Sequence, residues 1–100
     1  MTRQGESLLK RQMKDLLNER GAFWSSIQGG PGSKPGDPDM VACYRGRYVA
    51  IEAKTPGGRQ RYEQKDRQRE IEAAGGIYIL AYDLDTIANI LDTIDKEMEE

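Results

Sequence analysis

The sequence, 100 residues long, contains no histidine and a single cysteine, Cys43. The first absence removes Ser-His-Asp triads, histidine general bases and histidine-held zinc. The second removes an intrachain disulfide and any cysteine-rich metal centre. A metal bound by this chain would be held mainly by oxygen, which favours Mg²⁺ or Mn²⁺. Aromatic residues are scarce, with one Phe and one Trp. Cys43 lies in an apolar run, where a small buried hydrophobe is expected. No apolar run approaches the ~20 residues of a membrane span, and no membrane partner is expected. The opening residues hold no apolar stretch of the kind a secretion signal needs, so a cytoplasmic location is the expectation. The length fits one domain, residues 1–100, whose thin core dimerisation would help.

The formal net charge of −2 hides an asymmetry. Between Arg45 and Arg69 eight basic residues face three acidic ones, whereas from Asp83 to Glu100 seven acids face only Lys96. A solvated basic helix and a solvated acidic tail would account for both.

The spacing of Leu8, Leu9, Gln12, Met13, Leu16 and Leu17 predicts a helix over about 6–20, stopped by Gly21. Ala22 to Ile27 reads as a short strand whose Phe23 and Trp24 are expected in the core. Residues 28–36, with four glycines and two prolines, form a loop: a flap, a strand-exchange hinge or a plain connector. The phosphate-loop order G-x-x-x-x-G-K-[ST] is absent from it, so no nucleotide cofactor is expected. Asp39–Tyr44 and Arg47–Lys54 read as strands around Arg45-Gly46. A polar helix follows over about 59–74, then an apolar strand at Ile77–Tyr82. A last helix, capped by Asp85 or Thr86, carries Ile87, Ile90, Leu91, Ile94 and Met98 on one stripe. The order is αββ(β)αβα, an α/β fold with a central mixed sheet flanked by helices. The strands on either side of the polar helix should be parallel.

A two-residue hairpin turn at Arg45-Gly46 sets Tyr44 opposite Arg47 and, by counting back, Asp39 opposite Glu52. Alternation then puts Lys54 on the same face. A three-residue turn would make the two carboxylates diagonal neighbours instead. Opposed like charges destabilise a sheet, and a divalent cation removes the repulsion. The plain alternative is a surface Glu-Lys pair. The preceding Pro38-Asp39, the apolar strand leading in and the basic helix leading out favour a metal site.

Gly36-Asp37-Pro38-Asp39, Glu52-Ala53-Lys54, Gly57-Gly58, Gln64-Lys65 and Ala73-Ala74-Gly75-Gly76, with Glu6 early in the first helix, resemble the VRR-NUC branch of the PD-(D/E)XK nuclease superfamily. The resemblance runs from about Glu6 to Tyr82 and implies a restriction-endonuclease-like fold. It also implies metal ligation by Asp39, Glu52 and the Ala53 carbonyl, with Glu6 in support, directly or through water. Lys54 would orient or deprotonate the attacking water, and Gln64 would complete the catalytic set. One departure stands out: Arg67 and Gln68 replace a pair that is more often apolar in the family. The implied activity is Mg²⁺- or Mn²⁺-dependent hydrolysis of DNA by a homodimer, on branched substrates such as four-way (Holliday) junctions. Lys34, Arg59, Arg61 and Lys65 are the expected DNA contacts. The rivals are a flap or restriction-like nuclease, a non-catalytic DNA-binding module, and an interaction protein using its acidic last helix.

Overall fold

Leu9, Met13 and Leu17 recur at four-residue spacing, so one helix face presents them together. All three are buried in the computed structural model, which describes residues 2–27 and 30–99. They lie on α1 (Thr2–Glu19), which ends at Gly21 with φ +76°. There follow β1 (Phe23–Ser26), β2 (Met40–Tyr44), β3 (Arg47–Ala53), α2 (Tyr62–Ala73), β4 (Ile77–Ala81) and α3 (Leu84–Glu99). The expected order is thus observed, including the short first strand. Within the glycine-rich loop, Gln28 and Gly29 lie outside the described residues.

The sheet order is β1-β2-β3-β4. β1 and β2 are antiparallel, as are β2 and β3, and β4 runs parallel to β3 across the α2 crossover. The hairpin keeps the two-residue turn: Tyr44 pairs with Arg47 and Met40 with Ile51. Arg45 (φ +51°) and Gly46 (φ +84°) are both left-handed, as the turn that matches strand twist requires.

One face of the hairpin, Met40, Ala42, Tyr44, Val49, Ile51 and Ala53, is buried and shares a core with Leu9, Met13 and Leu17 of α1 and Ile87, Leu91 and Ile94 of α3. Each such large side chain, fully buried, contributes roughly 1.5–3 kcal/mol. The opposite face is covered only at one end. Ala50 and Glu52 are buried beside α2 and β4, but Tyr48 and Phe23 are exposed and Cys43 is an exposed free thiol. Helices therefore do not cover both sides throughout, and the burial expected for Cys43 and Phe23 is not observed. Phe23 pairs with Cys43 across β1 and β2, so the two turn outward together. Trp24 alternates inward, packs against the core and donates its indole N–H to Asn18 Oδ1 at 2.9 Å.

One further expectation is corrected. Asp83, not Asp85 or Thr86, caps α3: its Oδ1 accepts both the backbone N–H and the hydroxyl of Thr86. The polar helix α2 has little apolar packing, in keeping with its polar sequence. Tyr62 and Ala74 are exposed, Ile71 is half-buried, and the helix buries only Gln64. It is anchored by polar ties instead, among them Arg67 Nε to Asp37 Oδ1 at 3.0 Å. Arg67 also meets Glu70, and Gln68 bridges Gln60 and Glu72, so this unusual pair has partners of its own. Part of the charge asymmetry is internal as well. Arg20 and Arg45 pair with Asp95, and Arg47 with Glu97, all onto the acidic α3.

Candidate active site

Asp39 directly precedes β2, and its carbonyl accepts the Ile27 N–H at 2.9 Å. The observed register puts it opposite Glu52, one step beyond the Met40–Ile51 pair. Both carboxylates are buried, Asp39 at 5% exposure and Glu52 at 2%. Asp39 Oδ2 accepts the Ala53 N–H at 2.8 Å, a bond across the hairpin that puts the Ala53 backbone beside the Asp39 carboxylate.

Glu52 Oε2 accepts from Gln64 Nε2 at 2.9 Å and lies 3.7 Å from the Lys54 ammonium. Glu52 Oε1 is buried with no hydrogen-bond partner among the described residues. A buried oxygen left this way costs about 1–3 kcal/mol, more if charged. The carboxyl responds accordingly: burial, and next the charge of Asp39, raise its pKa from 4.5 to about 7.

Gln64 reaches this position because it stands in the first turn of α2, where backbone N–H groups lack partners. Its Oε1 accepts the Arg61 N–H at 2.8 Å. The amide is thereby oriented with its NH₂ toward Glu52. One wholly buried side chain both ends the helix and holds the carboxylate. The loop before Asp39 is docked on the same turn. Asp37 Oδ2 accepts the Lys34 N–H at 2.8 Å, and that bond, with Arg67 on the other oxygen, keeps the Asp37 carboxyl below its usual range. Gly36 (φ +91°) lies so close to α2 that an added Cβ would stand 2.5 Å from the Glu63 carbonyl oxygen.

Asp39, Glu52, Ala53, Lys54 and Gln64 are therefore brought together. Glu6, half-buried on α1, does not join them in a cluster: among the described residues no three carboxylate or thiol side chains converge as a ready-made metal cage. Lys34, Arg59, Arg61 and Lys65 are all exposed, and among the described residues none of them forms an ion pair. The basic residues with salt-bridge partners are others, Arg45, Arg47, Arg67 and Arg69 included.

Two neighbours of the site escaped the sequence reading. Lys10 on α1 places its ammonium 3.3 Å from Asp39 Oδ1. Tyr78 on β4 pairs with Ala50 of β3, is 7% exposed, and buries a hydroxyl with no partner among the described residues. Burial raises its pKa above the ordinary 10, with the Glu52 and Asp39 charges adding to the rise, so the phenol keeps its proton. Gln60 moderates that rise, but its amide donates to Gln68. Tyr78→Phe is expected to stabilise the protein by about 1 kcal/mol in urea denaturation, because it removes an unsatisfied buried group. A loss of stability would mean that the hydroxyl has a bound water.

Among solved structures the chain is similar to one titled "VRR_NUC domain", with a TM-score of 0.65 and 17% sequence identity over 96% of each chain. The fold is that of a VRR_NUC domain. The likeness at this identity is one of architecture. No family profile matches the sequence, and no curated protein matches it. Within the VRR_NUC fold, the buried end of the β2–β3 hairpin and the first turn of α2 supply every close contact to Glu52 described above.

Proposed function

We propose that this chain is a Mg²⁺- or Mn²⁺-dependent deoxyribonuclease that hydrolyses phosphodiester bonds, with Asp39, Glu52, Lys54 and Gln64 as its catalytic set. The observation that carries this reading is Glu52 Oε1, a buried and unpartnered oxygen on a carboxylate opposed to a second buried carboxylate. Two negative groups facing each other with one oxygen unused suit a hard divalent cation, and the donors available are all oxygens. The Ala53 carbonyl is a further donor. Its N–H faces Asp39, and the N–H and C=O of a strand residue in an antiparallel pair face the same neighbour. A cation held by Asp39, Glu52 and the Ala53 carbonyl would supply a more acidic water and charge stabilisation for the phosphoryl and leaving oxygens.

The chain's own groups do the rest. Asp39 and Glu52 hold their carboxylates in a set spacing through the hairpin ladder. Gln64 prevents Glu52 from rotating, since its amide is oriented by the Arg61 N–H. Lys54, whose side chain is 16% exposed, stands between buried Glu52 and solvent. It can hold or pass a proton at Nζ and offset phosphate charge. Lys34, Arg59, Arg61 and Lys65 are free to meet the DNA backbone, a binding mode that weakens steeply with salt.

A homodimer is part of this reading. The exposed sheet face bearing Phe23, Cys43 and Tyr48 supports it, as uncovered apolar area of that kind does. Two-fold symmetry would offer two sites to two strands, which suits a four-way junction. The test incubates the pure protein with labelled duplex, flap and four-way-junction DNA, with and without Mg²⁺ or Mn²⁺, beside Lys54→Ala. Metal-dependent cutting that Lys54→Ala loses is expected, with the junction cut fastest. Binding without cutting would make the chain a DNA-binding module on this fold. Light scattering reads the oligomer.

A further inference from the structure

The two opposed carboxylates each have a lysine, but the lysines arrive by different routes. Lys54 belongs to the segment leaving β3, two residues beyond Glu52, and lies 3.7 Å from it. Lys10 comes from α1, one turn beyond Glu6, and lies 3.3 Å from Asp39 Oδ1. Its neighbours Leu9 and Met13 are buried in the core, which holds this stretch of the helix against the sheet. Asp39 Oδ2 is already committed to the Ala53 N–H. Lys10 therefore occupies the oxygen that Asp39 has left to give.

We infer that Lys10 is a resident counter-ion of Asp39, one that stands in for a divalent cation in the metal-free protein and withdraws when that cation binds. The inference rests on Asp39 being a metal ligand, as proposed above. Without a cation, two buried carboxylates repel across one hairpin, and a buried charge lacking a partner is strongly destabilising. The Lys10 ammonium relieves this at Asp39. A divalent ion at the same oxygen would repel it. Its side chain is 35% exposed, so the four-carbon stem has a way out to water. Lys10 is thus a positioning residue: it keeps the ligand set assembled while empty, and it weakens metal binding by competing for Asp39.

Lys10→Met keeps the stem and removes the charge, and Lys10→Arg keeps the charge. Melting in EDTA and Mn²⁺ binding by calorimetry are compared with the wild type, with Asp39→Asn as the control for binding at this site. Lys10→Met is expected to melt about 5 °C lower in EDTA and to bind Mn²⁺ several-fold more tightly. Lys10→Arg should resemble the wild type in both. A purely structural lysine would lower melting without tightening Mn²⁺ binding, so unchanged or weaker affinity in Lys10→Met overturns the inference while leaving the metal site intact. Wild-type protein that binds no Mn²⁺, or whose binding survives Asp39→Asn, overturns the metal reading at Asp39 and the inference with it.

Discussion

Glu52→Gln is expected to abolish metal-dependent cleavage and, in the same protein, to raise the stability of the metal-free state. The first effect follows from the proposed ligand set, and a fall of about 10³-fold or more is the scale for a group on which the reacting centre depends. The second follows from burial. The Glu52 carboxyl titrates near 4.5 when unfolded and about 7 when folded, chiefly because water is excluded and then because Asp39 is near. Between those values the folded state holds a proton that the unfolded chain has released, so stability falls as pH rises through the window. At about 1.4 kcal/mol per unit, the loss by about pH 8 is about 3 kcal/mol. Glu52→Gln carries no such titration. In EDTA its urea midpoint should exceed the wild type's at about pH 8, and the difference should shrink toward about pH 4. A wild-type stability that is flat or rises across the window would overturn this account of Glu52. Added Mn²⁺ should stabilise the wild type and leave Glu52→Gln unmoved.

Gly36→Ala should be the most damaging glycine-to-alanine change among the described glycines. The residue has φ +91°, and its added Cβ would meet the Glu63 carbonyl at 2.5 Å and the Glu63 carbonyl carbon at 2.7 Å. Backbone cannot step aside as a flexible side chain can, so the 30–39 loop must lift from α2. Strained backbone and a broken dock together are expected to cost about 3 kcal/mol. Gly21→Ala is the control: φ +76° with nothing within 4 Å, expected to cost about 1 kcal/mol. Activity should fall too, by about 10²-fold, because Glu63 adjoins Gln64 and Gly36 stands three residues before Asp39. Misplacement on the scale of 1 Å suffices for that. Equal destabilisation by the two substitutions would show that the Gly36–Glu63 approach contributes nothing.

How much of this was legible in the sequence varies with the range of the contact. The hairpin was readable because a two-residue turn and strict alternation decide every facing pair, even with an arginine in the left-handed turn position. Asp39 opposite Glu52 followed from counting. Which face would be covered did not follow: pairing Phe23 with Cys43 says they turn the same way, not that they meet solvent. Lys10 and Tyr78 were invisible for a related reason. Nothing local records where a helix crosses a sheet or how deep a strand's far neighbour lies. The polarity of the second helix was legible but its anchors were not, because apolar periodicity measures only one kind of anchor. Gln64, Arg67 and a glycine pressed on Glu63 hold it through hydrogen bonds and close approach.

Trp24 is the chain's sole tryptophan, bonded to Asn18 and with the Lys14 ammonium 5.6 Å from its ring centre. Lys14 is one helical turn beyond Lys10 on the same face of α1. The indole therefore sits beside the helix that reaches into the carboxylate pair, yet it pairs with Ala42 of β2, away from Glu52. Its fluorescence emission is sensitive to a nearby cation and to hydration. The protein thus carries a native optical gauge of how α1 sits against the sheet.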